Sequence, residues 1–98
     1  MKLILNNKMN EAIKIDSMSR SLNIPDTQVL FDINFSTNNL ADAASMSYLI
    51  PYATTPITAY ALYDDDDNLI VEDAEADAKL ISFNENFSNN FYNSNASI

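Results

Sequence analysis

Carboxylates are the chemistry-bearing residues this sequence concentrates. Asp64, Asp65, Asp66 and Asp67 run together, and Glu72, Asp73, Glu75 and Asp77 follow within a few positions. Asp64, Asp66, Asn68, Glu72 and Glu75 take the first, third, fifth, ninth and twelfth places of a twelve-residue window. That is the oxygen-ligand spacing of an EF-hand calcium loop. Leu69, however, stands where the loop needs Gly for its sharp turn, and the flanking residues read as strands rather than helices. The run could therefore hold a calcium or magnesium ion only weakly, outside the EF-hand frame, or serve as a plain solvated turn. No other cofactor is expected.

The same carboxylates could imitate phosphates. If Asp73, Glu75 and Asp77 lie on one strand, their Cα atoms share a face at about 7 Å spacing, which suits tracking a nucleic-acid backbone. Such a surface would occupy the basic groove of a nucleic-acid-binding protein, associating fast and weakening with salt. Alternatively the acids only keep a small protein soluble. Tyr60 and Tyr63 lie beside the acidic run and are the aromatic residues expected to anchor a partner, since Tyr joins apolar area to a hydrogen-bonding tip.

Catalytic constellations are scarce. The chain has no Cys and no His, so thiolate nucleophiles, imidazole bases and the usual zinc or haem ligands are excluded. Gly is absent too, which removes phosphate-cradling loops in their usual form. A serine nucleophile would need a Lys base, and Lys14 near Ser17 and Ser19 is the nearest approach to one. Paired carboxylates need a pocket that separates their pKa values, and clustered exposed aspartates offer none. The expectation is a binding protein without enzymatic activity.

Charge is unevenly spread over the 98 residues, whose net charge is −9. Lys2, Lys8, Lys14 and Arg20 precede a long stretch containing Asp26, Asp32, Asp42 and the acidic run, and the next cation is Lys79. The resulting field repels nucleic acid and phospholipid headgroups and attracts basic protein surfaces. Apolar runs fall far short of the roughly 20 residues of a membrane span, and the three-residue apolar stretch near the start is shorter than a signal peptide requires. Neither membrane nor direct nucleic-acid binding is expected; a location inside the producing cell is.

One domain of this length must position these groups. Residues 1–7 read as a first strand, residues 12–18 alternate weakly, and residues 28–35 alternate clearly, with Val29, Phe31, Ile33 and Phe35 on one face. Turn chemistry at residues 23–26 joins the second and third strands. Asn38 and Asn39 offer an N-cap to a helix of about three turns, with Asp42 in its first turn and Pro51 at its end. Residues 57–63 and 69–71 form a hairpin whose tip, residues 64–68, is made of carboxylates. Residues 72–79 favour helix and strand equally, and residues 80–83 read as a further strand before an Asn- and Ser-rich tail anchored by Phe87, Phe91 and Tyr92. The expected class is α+β, a mostly antiparallel sheet of five to six strands with one short helix packed on it.

A small, acidic, Asn-rich and Gly-free chain of this kind resembles accessory proteins of bacteriophages and prophages. Its acidity and size resemble anti-CRISPR inhibitors, several of which imitate nucleic acid. The order of strands, short helix and closing hairpin over residues 57–70 is similar to that of small tail-module proteins of siphophages. The first resemblance implies a DNA mimic that blocks a CRISPR effector or another basic nucleic-acid-binding host protein in the bacterial cytoplasm; the acidic run itself, Asp64 to Asp67, Glu72, Asp73, Glu75 and Asp77, supplies the residues expected to make that contact. The second implies a structural piece of a virion, joined through strand edges and the aromatic tail. Self-association is compatible with either.

Overall fold

A computed structural model describes residues 1–23, 28–38, 40–89 and 91–98 of the chain. Among these residues, eight strands are arranged in two antiparallel four-stranded sheets: β1 (Lys2–Leu5), β2 (Ile13–Lys14), β3 (Ser17–Asn23), β4 (Gln28–Thr37), β5 (Tyr60–Tyr63), β6 (Leu69–Asp73), β7 (Ser82–Ser88) and β8 (Phe91–Ser97). One sheet runs β2-β1-β5-β6 and the other β3-β4-β8-β7. A short 3₁₀ turn spans Met9–Glu11, and a 3₁₀ helix spans Leu40–Ala53. The described molecule is largely β, and no helix among the described residues is long and apolar enough to cross a membrane.

Period-two patterning explains the strands. Phe31, Ile33 and Phe35 of β4 are buried while Asp32, Asn34 and Ser36 are exposed, and Tyr92, Ser94 and Ala96 of β8 alternate in the same way. Leu3, Leu5, Tyr60 and Leu62 face them from the other sheet, so both sheets contribute to one core. Phe31 and Tyr60 meet across it edge to face, their ring centroids 4.8 Å apart. Each fully buried Leu, Ile or Met contributes roughly 1.5–3 kcal/mol, and Ile33, Met46, Leu49 and Ile57 have no exposed surface.

Two sheets replace the single sheet of five to six strands that the sequence suggests. The cause lies at residues 15–16. The expected strand over residues 12–18 is divided there: Ile13 pairs with Leu3 in one sheet, and Ser17 pairs with Asn34 in the other. Asp16 fixes the crossing. Its amide donates to the Asn34 carbonyl at 2.7 Å, and its carboxylate accepts from the Ser36 amide at 2.8 Å and the Ser36 hydroxyl at 3.1 Å. Ile13 and Ile15 are both buried, whereas Asp16 and Ser17 are both exposed and Met18 turns to the core, so the alternation shifts phase at the corner.

The helix also departs from the α period. Ala43, Met46, Leu49 and Tyr52 are buried at intervals of three, the repeat of a 3₁₀ helix. Pro51 lies inside it rather than at its end, on the exposed side, and its carbonyl accepts the amides of Thr54 and Thr55. Ser45 accepts the Lys14 amide at 3.1 Å, and Asp42 pairs with the Lys14 ammonium at 3.3 Å, so the helix covers the β2 edge of its sheet. The expected turn at residues 24–26 and the Asn39 cap lie outside the described residues.

Among the connections, Asn6 is the most heavily used. Its backbone is left-handed, with φ of 52°. Its side-chain oxygen accepts the Thr58 amide at 2.7 Å, the Thr58 hydroxyl and the Ala59 amide, and its side-chain nitrogen donates to the Pro56 carbonyl. The segment entering β5 is thereby held to the end of β1.

A candidate protein-binding edge

Strands β5 and β6 pair antiparallel, with a register shift between Leu62 and Tyr63, and the turn between them carries Asp64 to Asp67. Aspartate suits this turn because its side chain can replace a backbone hydrogen-bond partner. One oxygen of Asp64 accepts the amides of Asp66 and Asn68 at 2.9 and 2.8 Å, and the other accepts the Asn68 side chain at 3.3 Å. The Asn68 amide, reinforced by the Asn68 side chain and the Asp66 amide, holds the Asp64 carboxyl below the usual aspartate range. Asp67 closes the turn in the left-handed region, with φ of 62°.

The tip is largely compensated from within the chain. The Met1 ammonium reaches Asp65 at 2.6 Å, and Lys2 reaches Asp67 at 2.5 Å. Both cations arrive because β1 pairs with β5, with Lys2 opposite Tyr63. They line an open groove of about 360 Å³ together with Lys14, Asp16 and Phe35. Asp66 alone in the run of four aspartates has neither a pairing cation nor a structural hydrogen bond to its side chain among the described residues. No group of His, Cys, Asp or Glu side chains among the described residues is arranged to hold a metal ion.

The remaining acids follow on β6, an edge strand, and in the segment after it. Glu72, Asp73, Glu75 and Asp77 are all exposed, and no ion pair among the described residues involves them. They do not form the regular row expected of one strand. β6 ends at Asp73, whose carboxylate accepts the Glu75 amide at 2.9 Å and bends the chain. Residues beyond the bend rejoin the fold where Ala76 donates to Thr58 and Ala78 pairs with Ile57. The anions therefore cluster at an edge and a turn instead of repeating at about 7 Å.

The two tyrosines separate. Tyr60 is only 9% exposed and packs against Phe31, which leaves it almost no area for a partner. Tyr63 is half-buried beside the tip and retains an accessible surface. Tyr60 and Tyr63, three residues apart, fall on opposite faces of β5, whose burial alternates from one to the other; the phase was hidden in the sequence because Ala59 and Tyr60 are both buried where the chain enters the strand.

Sequence reasoning missed the role of Lys2 and the Met1 ammonium. They are remote in sequence from the aspartates, and only the pairing of the first strand with β5 brings them together. No family model, curated protein or solved structure matches this chain.

Proposed function

We propose that this chain is a non-enzymatic binding protein that covers the basic nucleic-acid-binding surface of another protein, as anti-CRISPR inhibitors of the mimic kind do. One observation carries this reading: Asp66, Glu72, Asp73, Glu75 and Asp77 are exposed along the β6 edge and its flanking turns without a pairing cation among the described residues. The contact set is narrower than the acidic run itself, because Asp64 is committed to the turn and Asp65 and Asp67 are matched by the N-terminal strand. Tyr63 supplies the adjacent apolar area. Opposed potentials give rapid encounter that falls with ionic strength.

The test is capture from the bacterial host at low and high salt, followed by competition with nucleic acid. The expected prey is a basic nucleic-acid-binding protein that DNA or RNA displaces and that the combined substitutions Glu72→Gln, Glu75→Gln and Asp77→Asn no longer capture. Retention by the neutralised variant, with its fold intact, would reject the reading. A second reading, a small structural component of a phage tail, draws on a different observation, the exposed outer edge of β7, whose one charged side chain is Glu85. It requires contacts that persist in moderate salt.

A further inference from the structure

Strand β7 reads the same in both directions: Ser82, Phe83, Asn84, Glu85, Asn86, Phe87, Ser88. It is also the outer strand of its sheet. We infer that two copies of this chain pair antiparallel along β7, about a two-fold axis through Glu85, and join their sheets into one. An antiparallel pairing centred on a palindrome is self-complementary, which is the requirement of an isologous interface. Ser82 then faces Ser88 of the second copy, Phe83 faces its Phe87, and Asn84 faces its Asn86.

Those pairings continue what β7 already makes with β8. On one face Asn84 and Asn86 donate to the side chains of Asn95 and Asn93 at 3.3 and 3.0 Å, so an Asn84 to Asn86 pair extends the amide ladder. On the other face Phe87 stands 4.8 Å from Tyr92, yet is 66% exposed. Phe83 of the second copy would cover it. The axis through Glu85 keeps the two core-side faces together, because residues directly opposite in a sheet point to the same face.

The other sheet edges carry protection that β7 lacks. The β2 edge is covered by the helix through Lys14, and β6 bears Glu72 and Asp73 beside a register shift. β3 carries Arg20. β7 has no Lys, Arg or Pro to deter pairing. Charge favours the same strand: across residues 80–98 the only ionisable acid or base side chain besides Tyr92 is Glu85, in a chain of net charge −9. Glu85 would meet its own copy, and like charges directly opposite oppose pairing. The Tyr92 hydroxyl, at 2.6 Å, draws that carboxylate back toward β8.

A single strand pairing covers less than the roughly 800 Å² per partner of a standard interface, so the dimer forms weakly and reversibly. Sedimentation of the wild-type chain from micromolar to millimolar concentration is expected to show a monomer–dimer equilibrium. Phe87→Lys should weaken it at least tenfold, and Glu85→Gln should tighten it about threefold by removing the central repulsion. The native chain contains no Cys, so register can be read by cross-linking. Opposed Cα atoms lie about 4.5–5.5 Å apart, within disulfide range. Glu85→Cys should therefore oxidise to a dimer by itself, whereas Asn84→Cys should require a chain carrying Asn86→Cys.

A monomer at millimolar concentration would overturn the inference. So would self-linking of Asn84→Cys as efficient as that of Glu85→Cys, or an unchanged equilibrium in Phe87→Lys with its circular dichroism preserved. Because β6 and β7 belong to different sheets, loss of this dimer and loss of the acidic contact are separable results.

Discussion

The ring of Tyr60 lies edge-on to that of Phe31, one from each sheet, with centroids 4.8 Å apart. This pair turns a residue that looks like a surface anchor into part of the join between the sheets. Tyr60→Ala should therefore destabilise the protein by about 3–5 kcal/mol, the range for deleting a core aromatic. Tyr63→Ala, at a half-buried position, should cost less. Denaturant unfolding of both variants checks the order.

Asn6 offers a test of local backbone chemistry. Asn6→Ala loses the hydrogen bonds to Thr58, Ala59 and Pro56 and leaves a Cβ-bearing residue with no polar side chain at φ of 52°. A combined loss of about 3 kcal/mol follows from the left-handed penalty and the missing bonds. Asn6→Gly should recover about 1 kcal/mol of it, because glycine accepts the conformation but not the bonding. Reversal of that order would show that the side chain contributes little.

Asp64 makes stability depend on acid. Its folded-state pKa is lowered by the Asn68 amide, the Asn68 side chain and the Asp66 amide. The stabilisation is complete above the ordinary aspartate range and is lost as pH falls below it, through the depressed folded value. Asp64→Ala should flatten this part of the pH profile of the melting temperature. Asp66→Ala, which has no such bonds to its side chain, should leave the profile's shape unchanged.

Tyr92 sets the alkaline limit. Burial, followed by the Glu85 carboxylate, pushes its phenol up to about 12 from the ordinary tyrosine value of 10.0. A raised folded value means that the contribution is intact below pH 10, the unfolded value, and disappears as pH rises toward 12. Absorbance titration should show this tyrosine ionising last. Tyr92→Phe should cost about 1.5 kcal/mol through the lost hydrogen bond to a carboxylate and remove the late phase.

The sequence made the individual strands legible wherever one face met the core and the other met solvent. β4, with Phe31, Ile33 and Phe35 alternating against Asp32 and Asn34, is the clearest case, and the carboxylate-tipped hairpin of β5 and β6 is another. Sheet membership was not legible. Ile13 and Ile15 keep one period only as far as the corner, and the change of sheet after them comes from the long-range bonding of Asp16 to Asn34 and Ser36. The acidic cluster was plain in the sequence, but the pairing of Asp65 with the Met1 ammonium and of Asp67 with Lys2 depends on strand pairing across some sixty residues. The bend at Asp73 was concealed because acids and Ala alternate through residues 73–78 in a pattern that reads equally as helix or strand.

Asn6, Asn7 and Asp67 occupy the left-handed positions that glycine would ordinarily fill, in a chain that has no glycine. Each incurs some local strain in the folded state. Each also narrows the range of shapes open to the denatured chain, since a residue bearing a Cβ samples fewer backbone states than glycine does. The turns are thus stiffened before folding begins, and part of their stability resides in what the disordered chain is prevented from exploring.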